Sequence, residues 1–165
     1  MDTTTIVPYV HTIDDGPAYW QVDILWVMLA TAEQTGGAYT LIWELCPQGS
    51  GATPHYHDQD EQFYVLDGQV TYLAGDRTLV ASAGAFVLIP RGTVHSFRVD
   101  SDTATILNSY TPAGFERAII ELGEPAAART LPPAERPAIA HPERVEDVFG
   151  RVGMHLVNQP DTLRG

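Results

Sequence analysis

Residues 49–61 read Gly49-Ser-Gly-Ala-Thr-Pro-His55-Tyr-His57-Asp-Gln-Asp-Glu61. Because side chains two residues apart on a strand point to the same face, His55 and His57 can converge on one point. Glu61 lies four residues beyond His57, across a short bend, where a carboxylate oxygen can complete the same cluster. Two imidazoles and one carboxylate suit a borderline divalent metal, so this stretch predicts a metal site.

A second stretch, residues 84–95, offers a further imidazole. It reads Gly84-Ala-Phe-Val-Leu-Ile-Pro90-Arg-Gly92-Thr-Val-His95. Pro90 and Gly92 are typical of a turn, and His95 then begins the next strand. A closed barrel would have to bring His95 opposite the first pair of histidines.

Short β-rich runs surround both stretches and are separated by turns that contain Gly or Asp. The runs predicted as strands are residues 39–45, 62–66, 70–73, 78–80, 85–89, 95–99 and 103–110. An apolar stretch at 19–30 precedes them, and residues 34–37 form the turn before the first run. Many short strands with Gly-rich turns indicate an all-β sandwich or barrel.

The pattern changes after residue 110. Apolar side chains at helical spacing predict one helix over 114–122 and a second over 143–152. The proline-rich segment 123–142 between them is typical of an extended connector.

The length of 165 residues suits one compact domain better than two. We therefore predict a single domain over residues 1–165. Its barrel core covers about 19–110, and its helical C-terminal extension covers about 111–165.

The charge balance excludes some classes of partner. The chain has nine Arg, no Lys and 21 acidic residues, which gives a formal net charge of -12. Such a field repels phosphate backbones and anionic lipids, so neither nucleic acid nor a membrane surface is an expected partner. Residues 1–5 show no basic or apolar region of a signal peptide, so the predicted location is cytoplasmic.

The two stretches resemble the two signature motifs of the cupin superfamily. The first motif is Gly, five residues, His-x-His, three residues, Glu, six residues and Gly, and it is filled from Gly49 to Gly68. The second is Gly, five residues, Pro-x-Gly, two residues and His, and it is filled from Gly84 to His95. One position departs from the family pattern, because Val99 stands where an Asn that is not a metal ligand often occurs.

The resemblance implies an all-β cupin fold, which is a double-stranded β-helix or jelly-roll β-barrel, here with short C-terminal helices. It also implies one divalent transition metal, whether Fe, Mn, Ni, Co, Cu or Zn. The implied metal ligands are His55, His57, Glu61 and His95. Four protein ligands leave one or two open positions on a five- or six-coordinate metal, where a substrate or dioxygen can bind.

Residues 16–157 as a whole resemble, more loosely, small single-domain cupins similar to bacterial quercetin 2,3-dioxygenases. The resemblance implies a metal-dependent dioxygenase, an enzyme that binds an enol, a phenol or a flavonoid-like small molecule at the metal and cleaves it with O2. Glu61 would then be the catalytic residue as well as a ligand, because it would take the proton of the enolic hydroxyl.

Strand alternation also predicts the substrate pocket. If His95 faces the metal, Phe97 and Val99 lie on the same inward face, and Phe63 follows Glu61 inward in the same way. We expect these three side chains to form an apolar wall.

Two other functions use the same residues. One is a metal-dependent isomerase, lyase, cyclase or decarboxylase that polarises a small carbonyl or enol substrate without oxygen. The other is a non-catalytic cupin that binds a small molecule. The sequence does not separate the two enzymatic functions, because both need the same ligands and an apolar pocket.

The remaining histidines and the single cysteine are not predicted to take part. His11, His141 and His155 are expected to be packed or surface residues, and Cys46 is expected to be a buried, inert thiol. A homodimer is expected because the sheet edges of short barrels are often covered by a partner.

Overall fold

The computed structural model describes residues 6–157, which form two β-sheets and a few short helices. In chain order the elements are β1 (Ala18–Gln21), β2 (Ile24–Ala30), α1 (Ala32–Thr35), β3 (Thr40–Pro47), β4 (His55–His57), β5 (Asp60–Asp67), β6 (Gln69–Ala74), β7 (Arg77–Ser82), β8 (Phe86–Ile89), β9 (His95–Val99), β10 (Thr103–Thr111), α2 (Glu116–Leu122), β11 (Glu124–Pro125), a 3₁₀ turn (Pro142–Arg144), α3 (Val145–Val152) and β12 (Met154–Leu156). Residues 1–5, on which the signal-peptide prediction rests, lie outside the described residues. Within residues 6–157, no helix is long and apolar enough to cross a membrane.

Two antiparallel sheets pack face to face and enclose the core. The strand order is β11-β1-β2-β3-β10-β5-β8 in the larger sheet and β12-β4-β9-β6-β7 in the smaller. Aromatic rings meet between the sheets, because the centroid of Phe63 on β5 is 4.8 Å from that of Tyr72 on β6. The same Phe63 ring is 6.0 Å from that of Phe97 on β9. The predicted all-β fold is confirmed.

Strands β3 and β10 pair with each other and form much of the inner wall of the larger sheet. Both alternate between buried and less buried side chains, as a half-buried strand does. The buried positions of β3 are Thr40, Ile42, Glu44 and Cys46. Those of β10 are Ala104, Ile106, Asn108 and Tyr110. The alternation therefore places polar side chains, Glu44 and Asn108 among them, inside an otherwise apolar interior.

The N-terminal apolar stretch differs from the single run that the sequence indicates. It folds as a hairpin of β1 and β2, and the reversal occurs at Val22, a non-glycine residue in the left-handed region with a φ of 55°. The turn predicted over 34–37 overlaps the one-turn helix α1, which begins at Ala32 and is capped by Gly36 in a left-handed conformation. Strands β2 and β3 nevertheless pair across it.

The C-terminal extension supplies strands as well as the two predicted helices. Strand β11 pairs with β1 of the larger sheet, and β12 pairs with β4 of the smaller sheet. These strands have only two and three residues, which is too short for an alternating pattern to reveal them. The extension is therefore part of both sheets rather than a helical appendage.

A close backbone approach requires glycine at position 51. The loop that carries Gly51 runs along β9, where backbone hydrogen bonds of 2.9 Å and 2.8 Å join Gly49 and Ser50 to Val99. A Cβ at position 51 would meet the main-chain carbonyl of Phe97. We expect Gly51→Ala to lower the free energy of unfolding by about 1–3 kcal/mol.

The matched control for Gly51→Ala is Gly150→Ala. Gly150 lies within α3 and has open space around its Cα, so alanine there should stabilise the helix by about 0.5–1 kcal/mol. Urea unfolding of both variants measures the two effects. Equal midpoints for the two variants would contradict the close approach at Gly51.

Candidate metal centre

The four predicted ligands come from three strands in two sheets. His55 and His57 lie two apart on β4, and the buried–intermediate–buried pattern of that strand puts both imidazoles on the inner face. His95 begins β9 and pairs directly with His55. Glu61 lies on β5 in the opposite sheet, after a short bend that follows β4. The candidate centre therefore lies between the sheets.

The structure brings these four side chains into one buried cluster. One potential ligand atom from each residue lies within 4.8 Å of the others. Oε2 of Glu61 is 2.9 Å from Nε2 of His57 and 2.9 Å from Nε2 of His95. The ring centroids of His55 and His95 are 4.2 Å apart. All four residues are at most 4% exposed, so bulk water does not compete for their ligand atoms.

Each imidazole is oriented by the main chain close to it. Its Nδ1 lies 2.7–3.0 Å from the carbonyl oxygen of a residue two positions away; the pairs are His55 with Thr53, His57 with Gln59, and His95 with Thr93. An Nδ1–H that donates to a carbonyl leaves the lone pair on Nε2. The three Nε2 atoms are therefore available as metal ligands.

Asn108 and Gln59 support the cluster, and the sequence reasoning missed both. Nδ2 of Asn108 donates a hydrogen bond of 2.9 Å to Oε1 of Glu61, which leaves Oε2 directed at the histidines. Nε2 of Gln59 donates to the carbonyl of Val152 at the end of α3. The sequence could have indicated Asn108, because this amide occupies the same side of its strand as the buried apolar residues. No comparable local pattern indicates Gln59.

The electrostatics of the cluster favour an ionised carboxylate. Burial by itself raises the pKa of Glu61, but hydrogen bonds to His57 and His95 outweigh burial and hold that pKa well below its usual range. Burial opposes protonation of His95, yet the Glu61 carboxylate raises its pKa. His55 has no such partner, and burial together with His95 lowers its pKa to about 4. The site thus directs one anionic carboxylate oxygen and the ligating nitrogens of the imidazoles toward a common point.

A cavity of about 290 Å³ opens directly on the cluster. Its wall contains Phe63 and Phe97 from the sheets, and Trp26 from β2. Phe149 and Met154, from the C-terminal extension, complete another part of the wall. A volume near the lower end of the range for ligand pockets, lined mainly by apolar side chains, suits a small flat molecule.

The three predicted pocket residues differ in whether they line the cavity. Phe63 and Phe97 line the cavity, as expected. Val99 does not line it; the side chain is 1% exposed and lies in the hydrophobic core. The alternation of β9 does point Val99 inward, but it lies four residues beyond His95, where the loop at Gly49 covers the strand. A role of the two phenylalanines in substrate binding stays a prediction.

Several cavity residues were not singled out from the sequence. Phe115 lies against His57, with ring centroids 5.1 Å apart, and stacks on Tyr110 at 4.3 Å. Glu44 brings a carboxyl to the cavity wall from β3. The sequence could have indicated Glu44, because this acidic residue lies on the same side of an apolar strand as Ile42 and Cys46. Nothing in the local pattern indicated that the C-terminal extension would reach the cavity.

The residues predicted to be outside the site do lie outside it. The His141 side chain is 51% exposed, 3.6 Å from Glu143, and His155 stacks on Tyr56 with ring centroids 4.7 Å apart. Cys46 is fully buried, and burial together with the neighbouring Glu44 raises the pKa of its thiol. A buried thiol with a raised pKa is a poor nucleophile.

Comparison with protein families settles the fold family. The family model of the cupin domain matches residues 41–109, which include all four residues of the cluster. These residues form a cupin domain. The two motifs at residues 49–68 and 84–95 are thus the cupin motifs that they resemble.

Two curated relatives of this cupin are quercetin 2,3-dioxygenases. The protein of Bacillus subtilis (strain 168) is 31% identical over 127 residues, which are 76% of this chain and 38% of that protein. The protein of Aspergillus japonicus is 29% identical over 117 residues, which are 66% of this chain and 33% of that protein. The cupin therefore spans well under half the length of either relative.

A solved structure agrees on the fold. That of a predicted oxalate decarboxylase from Thermotoga maritima superposes with a TM-score of 0.56 at 18% identity. The superposition covers 64% of this cupin and 99% of that chain. At this identity the likeness concerns the fold and not the reaction.

The donor set of this cupin fits a divalent transition metal. Both ring nitrogens of His57 and of His95 face an acceptor oxygen, one from the main chain and one from Glu61. The lone pair of a ring nitrogen and a carboxylate oxygen repel each other unless a cation lies between the two atoms. A divalent metal ion can fill that position as well as a proton can. Three imidazoles and a carboxylate are ligands that Fe, Mn, Co, Ni, Cu and Zn all accept, so the four residues could hold any of these ions.

Metal binding should depend on these four side chains. We expect the purified protein to contain about one transition-metal ion per chain, and a His55→Ala/His57→Ala double variant to lose most of it, because two of four ligands are removed. Elemental analysis measures the content, and His141→Ala is the matched control because that imidazole is half exposed and outside the cluster. A double variant with full metal content would place the ion elsewhere.

Proposed function

We propose that this cupin is a quercetinase-like dioxygenase, which binds a flavonoid-like enol or phenol at the metal centre and cleaves it with O2. The observation that carries the proposal is the buried His-His-Glu-His cluster that opens on a mainly apolar cavity. The similarity to two quercetin 2,3-dioxygenases supports the choice of substrate class.

The protein groups would divide the work between holding the substrate and moving a proton. The rings of Phe63 and Phe97 would contact the faces of a flat substrate and exclude water from it. Glu61 would accept the proton of the enolic hydroxyl, because its Oε2 is the anionic oxygen directed into the centre. Asn108 would keep that carboxylate in place through Oε1.

A bound metal ion would supply a Lewis acid that favours ionisation of the hydroxyl. The imidazoles of His55, His57 and His95 would position the ion through Nε2 while their Nδ1 atoms stay bonded to the main chain. A substrate anion held in a dry cavity is electron-rich and would be exposed to attack by dioxygen.

Oxygen consumption tests this proposal. The metal-loaded protein is incubated with a panel of flavonols and β-diketones in air and under argon, with the His55→Ala/His57→Ala variant as the control. We expect substrate loss with O2 uptake in air and none under argon. Equal turnover in both atmospheres would favour the non-oxidative isomerase, lyase or cyclase, and no turnover in either would favour a binding protein.

Two further expectations belong to the proposed function. We propose a cytoplasmic homodimer, and exposed apolar side chains on the edge strand β8, Phe86 and Leu88, support a partner at that edge. Light scattering on the purified protein measures the oligomeric state, and a monomer at micromolar concentration would contradict the dimer.

A further inference from the structure

Glu44 is a buried carboxyl that neither cupin motif contains. It lies in the middle of β3, where it pairs with Trp26 of β2 and with Ile106 of β10. The residue is 1% exposed, and its side chain lines the cavity next to the metal cluster. Acidic residues are depleted in strands, and a buried one usually has a cationic or strongly hydrogen-bonding partner.

No such partner for Glu44 occurs among residues 6–157. Its one hydrogen bond there comes from the thiol of Cys46, at a distance of 3.9 Å, and a thiol is a weak donor. Burial, followed by the Glu61 carboxylate, raises the pKa of Glu44 well above its usual range. A neutral carboxyl has one O–H donor and spare acceptor capacity, and here most of that capacity is unused.

Two other polar side chains of the cavity wall donate hydrogen bonds to main-chain carbonyls. The amide of Gln21 donates to a carbonyl in α2, and the indole N–H of Trp26 donates to the carbonyl of Gln21. Tyr110 is buried beside the metal cluster, with its ring centroid 5.6 Å from that of His57, and Thr53 is exposed at the rim. Glu44 is thus a fully buried side chain of the cavity wall whose one hydrogen bond among residues 6–157 comes from a thiol.

The backbone of Glu44 is offset from that of Glu61 along the wall of the larger sheet. It is opposite Ile106 on β10, whereas Glu61 is opposite Tyr110, which is four residues further along the same strand. Four residues along a strand span about 13 Å of backbone, so a ligand oxygen at Glu44 would be a different one from the oxygen at the metal cluster.

We propose that Glu44 is a specificity-determining residue whose carboxyl hydrogen-bonds to a second oxygen of the substrate, distinct from the oxygen bound at the metal cluster. The ligand class is then a flat polyphenol with hydroxyl groups at both ends. This inference rests on the proposed function and makes it more specific. Without such a ligand, a carboxyl at this position only destabilises the protein, as residues kept for function often do.

The test compares two probes that share the metal-binding end. Quercetin and 3-hydroxyflavone carry the same enol and carbonyl, but 3-hydroxyflavone lacks the distal hydroxyl groups. Binding is measured under argon by fluorescence titration of the metal-loaded wild-type protein and its Glu44→Leu and Glu44→Gln variants. Metal content and melting temperature are recorded for each protein.

We expect Glu44→Leu to weaken quercetin binding by at least about tenfold, because a buried hydroxyl loses its partner. Binding of 3-hydroxyflavone should change little. Glu44→Gln, which keeps a donor and an acceptor, should retain quercetin affinity to within about threefold. The melting temperature of Glu44→Leu should rise or stay unchanged, whereas a merely structural carboxyl predicts a fall.

Other results would overturn the inference. Equal losses for both probes would mean that Glu44 acts on the shape of the cavity or on the metal end, and no loss for either would remove it from the binding site. If Glu44→Leu does not fold, loss of quercetin affinity in Glu44→Gln to the level of 3-hydroxyflavone would contradict the proposed hydrogen bond. If the wild-type protein binds neither probe, the flavonoid function itself fails, and the role of Glu44 fails with it.

Discussion

Glu61→Gln is expected to lower turnover by about 10²-fold or more, the usual contribution of a positioned base, while much of the metal remains. Glutamine keeps the size of the side chain and an oxygen ligand, but it cannot accept the substrate proton. The structure allows the amide to fit, because Oδ1 of Asn108 is buried and has no hydrogen-bond partner among the described residues. A rotated Asn108 amide could accept from the new NH2 group. Steady-state kinetics with metal analysis measures both effects.

Glu116→Gln provides the matched control for this substitution. Glu116 is equally buried, but it accepts hydrogen bonds from the Thr40 hydroxyl and the backbone N–H groups of Ala32 and Gly114, away from the metal cluster. We expect it to lower stability and to leave turnover per folded, metal-loaded molecule unchanged. Unchanged turnover in Glu61→Gln would reduce Glu61 to a structural ligand at most.

Phe97→Ala is expected to lower both substrate affinity and stability while the protein still binds its metal. Phe97 lines the cavity and also packs in the core, where its ring centroid is 5.9 Å from that of Tyr72. Truncating a buried phenylalanine costs about 3–5 kcal/mol, and a residue that also faces a cavity belongs near the lower end of that range. The paired measurement is melting temperature and flavonol affinity of the folded fraction.

Val99→Ala distinguishes core packing by β9 from lining of the cavity by the same strand. Val99 is buried two residues further along the strand but does not line the cavity. Its truncation should lower the melting temperature and leave flavonol affinity unchanged. If Phe97→Ala shows the same behaviour, with a large fall in melting temperature and unchanged affinity, then Phe97 is core alone.

The parts of the fold that were predictable from sequence are those with a local signal. Alternating apolar residues and Gly-rich turns give strands such as β3, β5 and β10, and they were expected almost where they occur. The split of the first apolar stretch at Val22 was not predictable, because a valine in the left-handed region carries no turn signal. Strands β11 and β12 were missed because their pairing depends on partners more than 90 residues away in the chain.

The metal cluster was predictable for a different reason. His55, His57 and Glu61 occupy one short segment, and the Pro90–Gly92 turn delivers His95 to the neighbouring strand, so two stretches define the geometry. The cavity wall has no such sequence motif, because segments that are distant in the chain contribute to it and come together only in the folded protein. Phe63 and Phe97 lie in the cavity wall and Val99 does not, since facing inward does not decide which part of the interior a side chain meets.

The main-chain carbonyls that orient the imidazoles come from the same two short segments as the histidines themselves. No side chain of the cavity wall orients one of these imidazoles through a hydrogen bond at Nδ1. Residues of the wall can therefore be exchanged during evolution without disturbing the direction of the Nε2 lone pairs. Such independence lets one scaffold diverge toward new substrates while its reactive centre is inherited intact.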